Sequence, residues 1–151
     1  MNGNSVPHLL VGGAANDTRG SVGFVNSFHF TDVKRFYTIE NAQVGLPRAW
    51  HGHRREGKYV FVAAGRAVIC AADMNTGRVL RYELDGSEPA VLHIPAGWAN
   101  GSMSLEPGTK ILHFSTSTLE ESENDDERFP LEAFADVWHD GHSLEHMREH
   151  G

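Results

Sequence analysis

From residue 33 to residue 115 the chain alternates apolar and polar positions in short runs, each broken by glycine, proline, asparagine or aspartate. A period of two sends successive side chains to opposite faces, so each run predicts a strand with one face toward a core. VKRFYTIEN puts Val33, Arg35, Tyr37 and Ile39 on one face and Phe36 on the other. RAWHGH and KYVFVAAG predict two further strands, and GRAVICAADM another that ends at a polar NTG turn. RVLRYELD alternates again before the GSEP break, AVLHIP follows, SMSLEPG predicts a short strand and turn, and TKILHFSTST is apolar on both faces near its start. Upstream, HLLVGG predicts a short strand, AANDTRG a turn, and SVGFVNSFHF a partly extended segment. About seven to ten short strands without a strong internal helix predict an all-β sandwich or jelly roll.

The pattern changes at Leu119. LEESENDDER is acidic and polar, and Asp125, Asp126 and Arg128 within it are expected to form a solvated or capping cluster. FPLEAFADVW is apolar enough to pack back onto the body, leaving a short helical or irregular C-terminus. Residues 139–151 carry His139, His142, His146 and His150, and their irregular spacing at a terminus predicts a frayed polar tail rather than a metal site. The expected organisation is one domain over residues 1–151, with the jelly roll at about 8–138.

Composition narrows the class. The chain has 151 residues, enough for one proper core, and its 40% hydrophobic and 22% charged content is ordinary for a globular protein. A formal charge of −7 argues against nonspecific binding to nucleic acid or an anionic membrane. It leaves room for a phosphate-bearing small ligand, which needs only one or two local arginines. The single cysteine, Cys70 in AVICAA, excludes an internal disulfide and predicts a buried core thiol. The first residues lack the basic start and apolar segment of a signal peptide, and no run approaches a membrane span, so the expected location is cytoplasmic.

The candidate chemistry lies in residues 45–65, GLPRAWHGHRREGKYVFVAAG. His51 and His53, one residue apart in an extended segment, project into one space. Two imidazoles on one face suit a transition metal, given a third and often a fourth ligand. The spacing Gly45, His51, His53, Lys58, Gly65 resembles the first cupin motif, with Lys58 where that motif has a glutamate ligand. The second cupin motif, a PxG followed two residues later by histidine, is matched by Pro95, Gly97 and then Asn100. Two of four ligands are thus replaced, one by a cation that repels a divalent ion, so neither a metal nor another cofactor is expected. A lysine beside a histidine instead suits proton removal next to a ketone, with the histidine as base and the cation on the enolate oxygen.

These segments, with DTRG at residues 17–20, IPAGWANG and STSTLEESENDDERFP, resemble metal-free cupins that act on nucleotide-linked 4-keto-6-deoxy sugars. The family comprises the dTDP-4-dehydrorhamnose 3,5-epimerases and the related 3,4-ketoisomerases. The resemblance implies an epimerase or isomerase of surface-polysaccharide sugar synthesis, a dTDP-linked substrate and a homodimer. It gives Arg48 to the diphosphate, His51 to the base, Lys58 to the enolate oxygen and Arg19 to the nucleotide. Asn100 stands where the epimerases have histidine, and with Trp98 it is a substrate-binding candidate. Leu119 stands where the epimerases carry a tyrosine acid, while the His51 and His53 pairing and Tyr37 resemble the ketoisomerases. Tyr37 and His53 therefore complete the catalytic set. Two other readings remain: a metal cupin using His51 and His53, and a cupin that binds a sugar nucleotide without turning it over.

Overall fold

The structure is a computed structural model that describes residues 5–139. Ten strands form two five-stranded antiparallel sheets that face each other. The first sheet has the order β1 (His8–Val11), β9 (Ala90–Ile94), β6 (Lys58–Ala64), β11 (Lys110–Ser115) and β4 (Arg35–Ile39). The second has the order β12 (Glu127–Arg128), β5 (Arg48–Gly52), β10 (Trp98–Ser104), β7 (Arg66–Asp73) and β8 (Val79–Asp85). A separate hairpin, β2 (Gly13–Asp17) with β3 (Gly20–Phe24), pairs with neither sheet. The predicted all-β jelly roll is the observed architecture. AANDTRG is more than the predicted turn, since it supplies most of β2 as well.

Alternation sets the layers. Val60 and Val62 on β6, Ile111 on β11, Leu92 and Ile94 on β9, and Ile69, Leu80, Tyr82 and Leu84 from the facing sheet form one core between the sheets. Each fully buried branched side chain here contributes about 2 kcal/mol relative to exposure. The intervening residues of the second sheet, Val68, Cys70, Ala72, Ala99 and Met103, form a second core on its outer face. The chain after β12 covers that face. Trp50 stacks edge-on to Phe134 at 5.2 Å and meets Trp138 at 5.4 Å, while its indole N–H donates to the Leu131 carbonyl at 3.1 Å. FPLEAFADVW thus packs back as its apolar content predicts. Cys70 is fully buried, and burial pushes its thiol pKa up, so it is a core residue.

Two glycines matter to this framework. Gly65 turns the chain between β6 and β7 at φ +81°, where a Cβ would lie 2.3 Å from Thr109 Oγ1. Gly101 lies at the irregularity in the β10–β5 pairing, where a Cβ would sit 2.5 Å from the Ala49 Cβ. Close approach of β5 and β10 there keeps Arg48 and His51 in register beside Asn100 and Ser102.

The acidic stretch holds a short helix that alternation does not reveal, α1 (Leu119–Glu123), followed by a 3-10 turn at Leu131–Ala133. Thr118 caps α1: its Oγ1 accepts from the Glu121 N–H at 3.1 Å, and the Glu121 carboxylate accepts from the Thr118 N–H at 2.9 Å. Among the described residues no helix is long and apolar enough to cross a membrane. Most of the histidine-rich tail lies outside the described residues.

Candidate active site

The sandwich interior is apolar at one end and polar at the other. At the polar end, a cavity of about 710 Å³ opens between β4, β6 and β11 on one side and β5 and β10 on the other, with α1 at its rim. His51 and Asn100 project from the second sheet, where they are cross-strand partners. Tyr37, Lys58, His113 and Arg35 come from the first. Arg48 and Leu119 line the opening.

His51 is bonded through Nε2 to the carboxylate of Asp126, 75 positions further along the chain. Asp126 was expected in a solvated cluster, and the structure corrects this: it is the partner of the predicted base. The signal was hidden because the contact is non-local and Asp126 sits in an acidic run. Asp125 has the capping role foreseen for the cluster. Its carboxylate accepts from the backbone N–H groups of Arg54, Arg55 and Glu56 at 2.9, 2.9 and 3.1 Å. This clamp fixes the β5–β6 loop to the 125–128 segment and presents Asp126 to His51.

Burial pushes the His51 pKa down, Lys58 and His53 act in the same direction, and Asp126 pulls it part of the way back. His51 is therefore neutral at pH 7 and able to accept a proton. Burial disfavours the charged form of Asp126, but its contacts with His51 and Arg128 outweigh this and hold the carboxyl below its ordinary range. An ionised Asp126 beside neutral His51 fixes a proton on Nε2 and leaves Nδ1 as the basic nitrogen.

Across the cavity the Lys58 ammonium donates to Tyr37 Oη at 2.8 Å. Oη accepts this bond and also lies 3.4 Å from Nδ1 of the neutral His113, which can accept the phenol's own proton. Tyr37 stacks on His113 at 5.1 Å and 18°, and the Arg35 guanidinium lies 4.9 Å above the Tyr37 ring. Complete burial, with Lys58, His51 and Arg35 nearby, pushes the His113 pKa down to about 3, so this imidazole is neutral. His113 was not singled out from the sequence, although alternation in KILHFS places it on the same face as Ile111 and Ser115.

The remaining predicted residues divide. Arg48 lines the cavity and makes no ion pair among the described residues, while Arg35 and Arg128 pair with Glu56 and Asp126. The Asn100 Nδ2 group donates to the His51 carbonyl at 3.3 Å, bracing the strand that carries the base. His53 shares the face of His51, with ring centroids 4.8 Å apart, but is only 2% exposed and lies behind the cavity wall. Its Nδ1–H donates to the Asp125 carbonyl at 2.8 Å, so the geometry makes it a support for the loop clamp and not a group that meets substrate. Trp98 does not line the cavity. Its ring lies in the inter-sheet core and its indole N–H donates to the Ser5 carbonyl at 3.1 Å, which corrects its assignment as a binding residue. Arg19 sits at the exposed tip of the β2–β3 hairpin, pairs with Asp17 at 2.6 Å and is absent from the cavity of its own chain. Leu119, the first residue of α1, gives the cavity an apolar wall where a proton donor is missing.

Donor atoms of His51, His53 and Asp126 lie within 4.8 Å of one another, the spread of a three-ligand metal site. The Asp126 carboxylate is engaged by His51, and Lys58 places an ammonium close enough to depress the His51 pKa. This charge arrangement suits proton transfer better than a divalent cation.

No protein-family model matches the sequence, and no curated protein matches it. Solved structures do match. A dTDP-4-dehydrorhamnose 3,5-epimerase from Sulfolobus tokodaii superposes with a TM-score of 0.71 at 23% identity, over 87% of this chain and 81% of that one. A 3,4-ketoisomerase from Helicobacter canadensis gives 0.66 at 21% identity, over 82% and 90%. A variant of the 3,4-ketoisomerase QdtA from Thermoanaerobacterium thermosaccharolyticum, in complex with TDP-4-keto-6-deoxyglucose, gives 0.68 at 17% identity, over 85% and 90%. The likeness shows the fold: the jelly roll that these epimerases and ketoisomerases share.

Proposed function

We propose that the protein is a metal-independent epimerase or isomerase of a nucleotide-linked 4-keto-6-deoxy sugar. The observation that carries this reading is the pairing of a neutral, carboxylate-bound imidazole on one wall with an ammonium-bound phenol on the facing wall. His51 Nδ1 takes the proton from the carbon next to the ketone. The electron pair left behind moves onto the carbonyl oxygen as an enolate, which Lys58 and Tyr37 stabilise as hydrogen-bond donors. Reprotonation completes the reaction in one of two ways. A proton returned to the same carbon from the Tyr37 wall inverts it, giving an epimer. A proton delivered to the former carbonyl carbon, with a hydroxyl proton passed between the two oxygens, moves the ketone by one position. The apolar Leu119 wall leaves Tyr37 as the acid in either case. Arg48 at the opening suits a diphosphate, and the fold is shared with an enzyme that holds TDP-4-keto-6-deoxyglucose.

The molecule is proposed to work as a homodimer. The outer face of the first sheet exposes Phe36 and carries Phe114, against which Phe28 and the exposed Phe30 pack. In such a dimer the exposed hairpin would offer Arg19 to the partner. Incubation with dTDP-4-keto-6-deoxyglucose in D2O containing EDTA, followed by proton NMR, tests the enzymatic reading. Deuterium enters the sugar ring next to the ketone, and the product spectrum separates epimer from ketoisomer. Binding without exchange points to a non-catalytic cupin, and exchange that EDTA abolishes points to a metal enzyme.

A further inference from the structure

Beneath the cavity lies a charge that the proton-transfer scheme does not use. The Glu56 side chain is fully buried. Its Oε2 accepts from Ser115 Oγ and lies 3.8 Å from an Arg35 guanidinium nitrogen and 3.9 Å from Lys58 Nζ. Its Oε1 is 3.4 Å from His53 Nδ1 and has no hydrogen bond, because the His53 proton goes to the Asp125 carbonyl. The backbone N–H of Glu56 is tied to Asp125, so the loop clamp fixes the position of the carboxylate.

Lys58 is 4% exposed, and an ammonium removed from water needs a counter-charge. The groups around it are Tyr37 and Arg35 on β4, His113 on β11, His51 on β5 and Glu56 in the β5–β6 loop. Two of these are neutral imidazoles, one is a phenol and one is a second cation. Glu56 supplies the negative charge. We propose that Glu56 is a positioning residue of this site: enclosed between Arg35 and Lys58, its carboxylate keeps the Lys58 ammonium charged and directed at Tyr37 Oη. Two cations and one anion leave one net positive charge on the cavity floor, where an enolate oxygen forms. The catalytic consequence rests on the proton-transfer reading, whereas the charge coupling does not.

The chain has three lysines, Lys34, Lys58 and Lys110, so full-length protein labelled with 13C at lysine Cε gives three resonances to titrate. Lys58→Met assigns the one of interest. Lys34 and Lys110 are exposed and serve as internal controls. In Glu56→Gln the Lys58 midpoint falls by about one pH unit or more, a tenfold change in the ratio of charged to neutral amine, while the controls stay in place. Glu56→Asp keeps the charge but withdraws it by one methylene, so it lowers the midpoint by a smaller step and remains usable if the glutamine variant does not fold. In the exchange assay Glu56→Gln loses about tenfold or more in kcat with KM for the nucleotide sugar little changed, and Glu56→Asp recovers part of it. A Lys58 midpoint that does not move in either folded variant overturns the proposal. A midpoint that moves, in a protein whose wild type exchanges no substrate hydrogen, supports the charge coupling and sinks the proton-transfer reading instead.

Discussion

At the scale of single residues, the site turns on how Asp126 biases His51. The carboxylate stabilises the protonated imidazole, whereas burial and Lys58 oppose it. Asp126→Asn therefore moves the acid limb of the kcat/KM profile to lower pH, because the imidazolium loses its stabilising partner. The same substitution lowers kcat about 10²-fold by releasing the tautomer and orientation that make Nδ1 basic. A pH–rate profile of the variant checks both effects together. His113 gives a second expectation, in stability. Its pKa is about 3 in the folded protein and near 6.5 when unfolded, so between these values the unfolded chain binds the additional proton and stability falls as pH falls. Between pH 7 and pH 5 this costs about 2 kcal/mol. His113→Gln, compared with wild type by urea unfolding at both pH values, loses correspondingly less on acidification. Local spacing was enough to pick out His51, Lys58, Tyr37, Arg48 and Asn100, which the fold brings to one cavity, because alternate residues in a strand share a face. It could not find Asp126 or Glu56, whose roles depend on which distant segments meet. It also misplaced Trp98, since a strand pattern does not reveal how far a large ring reaches into the core.

At the scale of elements, β4, β5 and β11 were legible because they alternate, whereas β7 and β10, buried along almost their whole length, show no such period. The turns were legible because glycine and asparagine punctuate them. Helix α1 escaped because five residues are too few to show a 3.6-residue period. Its signal was the capping box, Thr118 followed three positions later by Glu121. The cap has a functional side, because α1 carries Leu119 and Ser122 to the cavity wall and leads directly into Asp126. Thr118→Ala removes the side-chain acceptor and costs about 1 kcal/mol in chemical unfolding. Hydrogen exchange at the Glu121 amide rises in the same variant, since that N–H loses its acceptor.

At the scale of the whole molecule, one sandwich keeps an apolar core and a polar cavity in the same layer by changing residue type along strands whose faces stay fixed. The outer face of the first sheet is unusual in exposing Phe36 at 65% and Phe30 at 63%. If two copies bury this face, Phe36→Glu gives a particle of one chain's mass by light scattering where the wild type gives two. A folded Phe36→Glu that still measures as a dimer places the interface elsewhere. The return of the chain over the second sheet has a consequence for synthesis. A nascent protein that has emerged through β11 already holds every strand of the first sheet and four of the second. It still has a bare His51 and an uncovered Trp50. The emergence of 119–138 then brings Asp126 to its imidazole and Trp138 and Phe134 to their tryptophan partner. The same late segment both covers the outer core and supplies the carboxylate partner of His51, so neither arrangement can form before residues 119–138 are made.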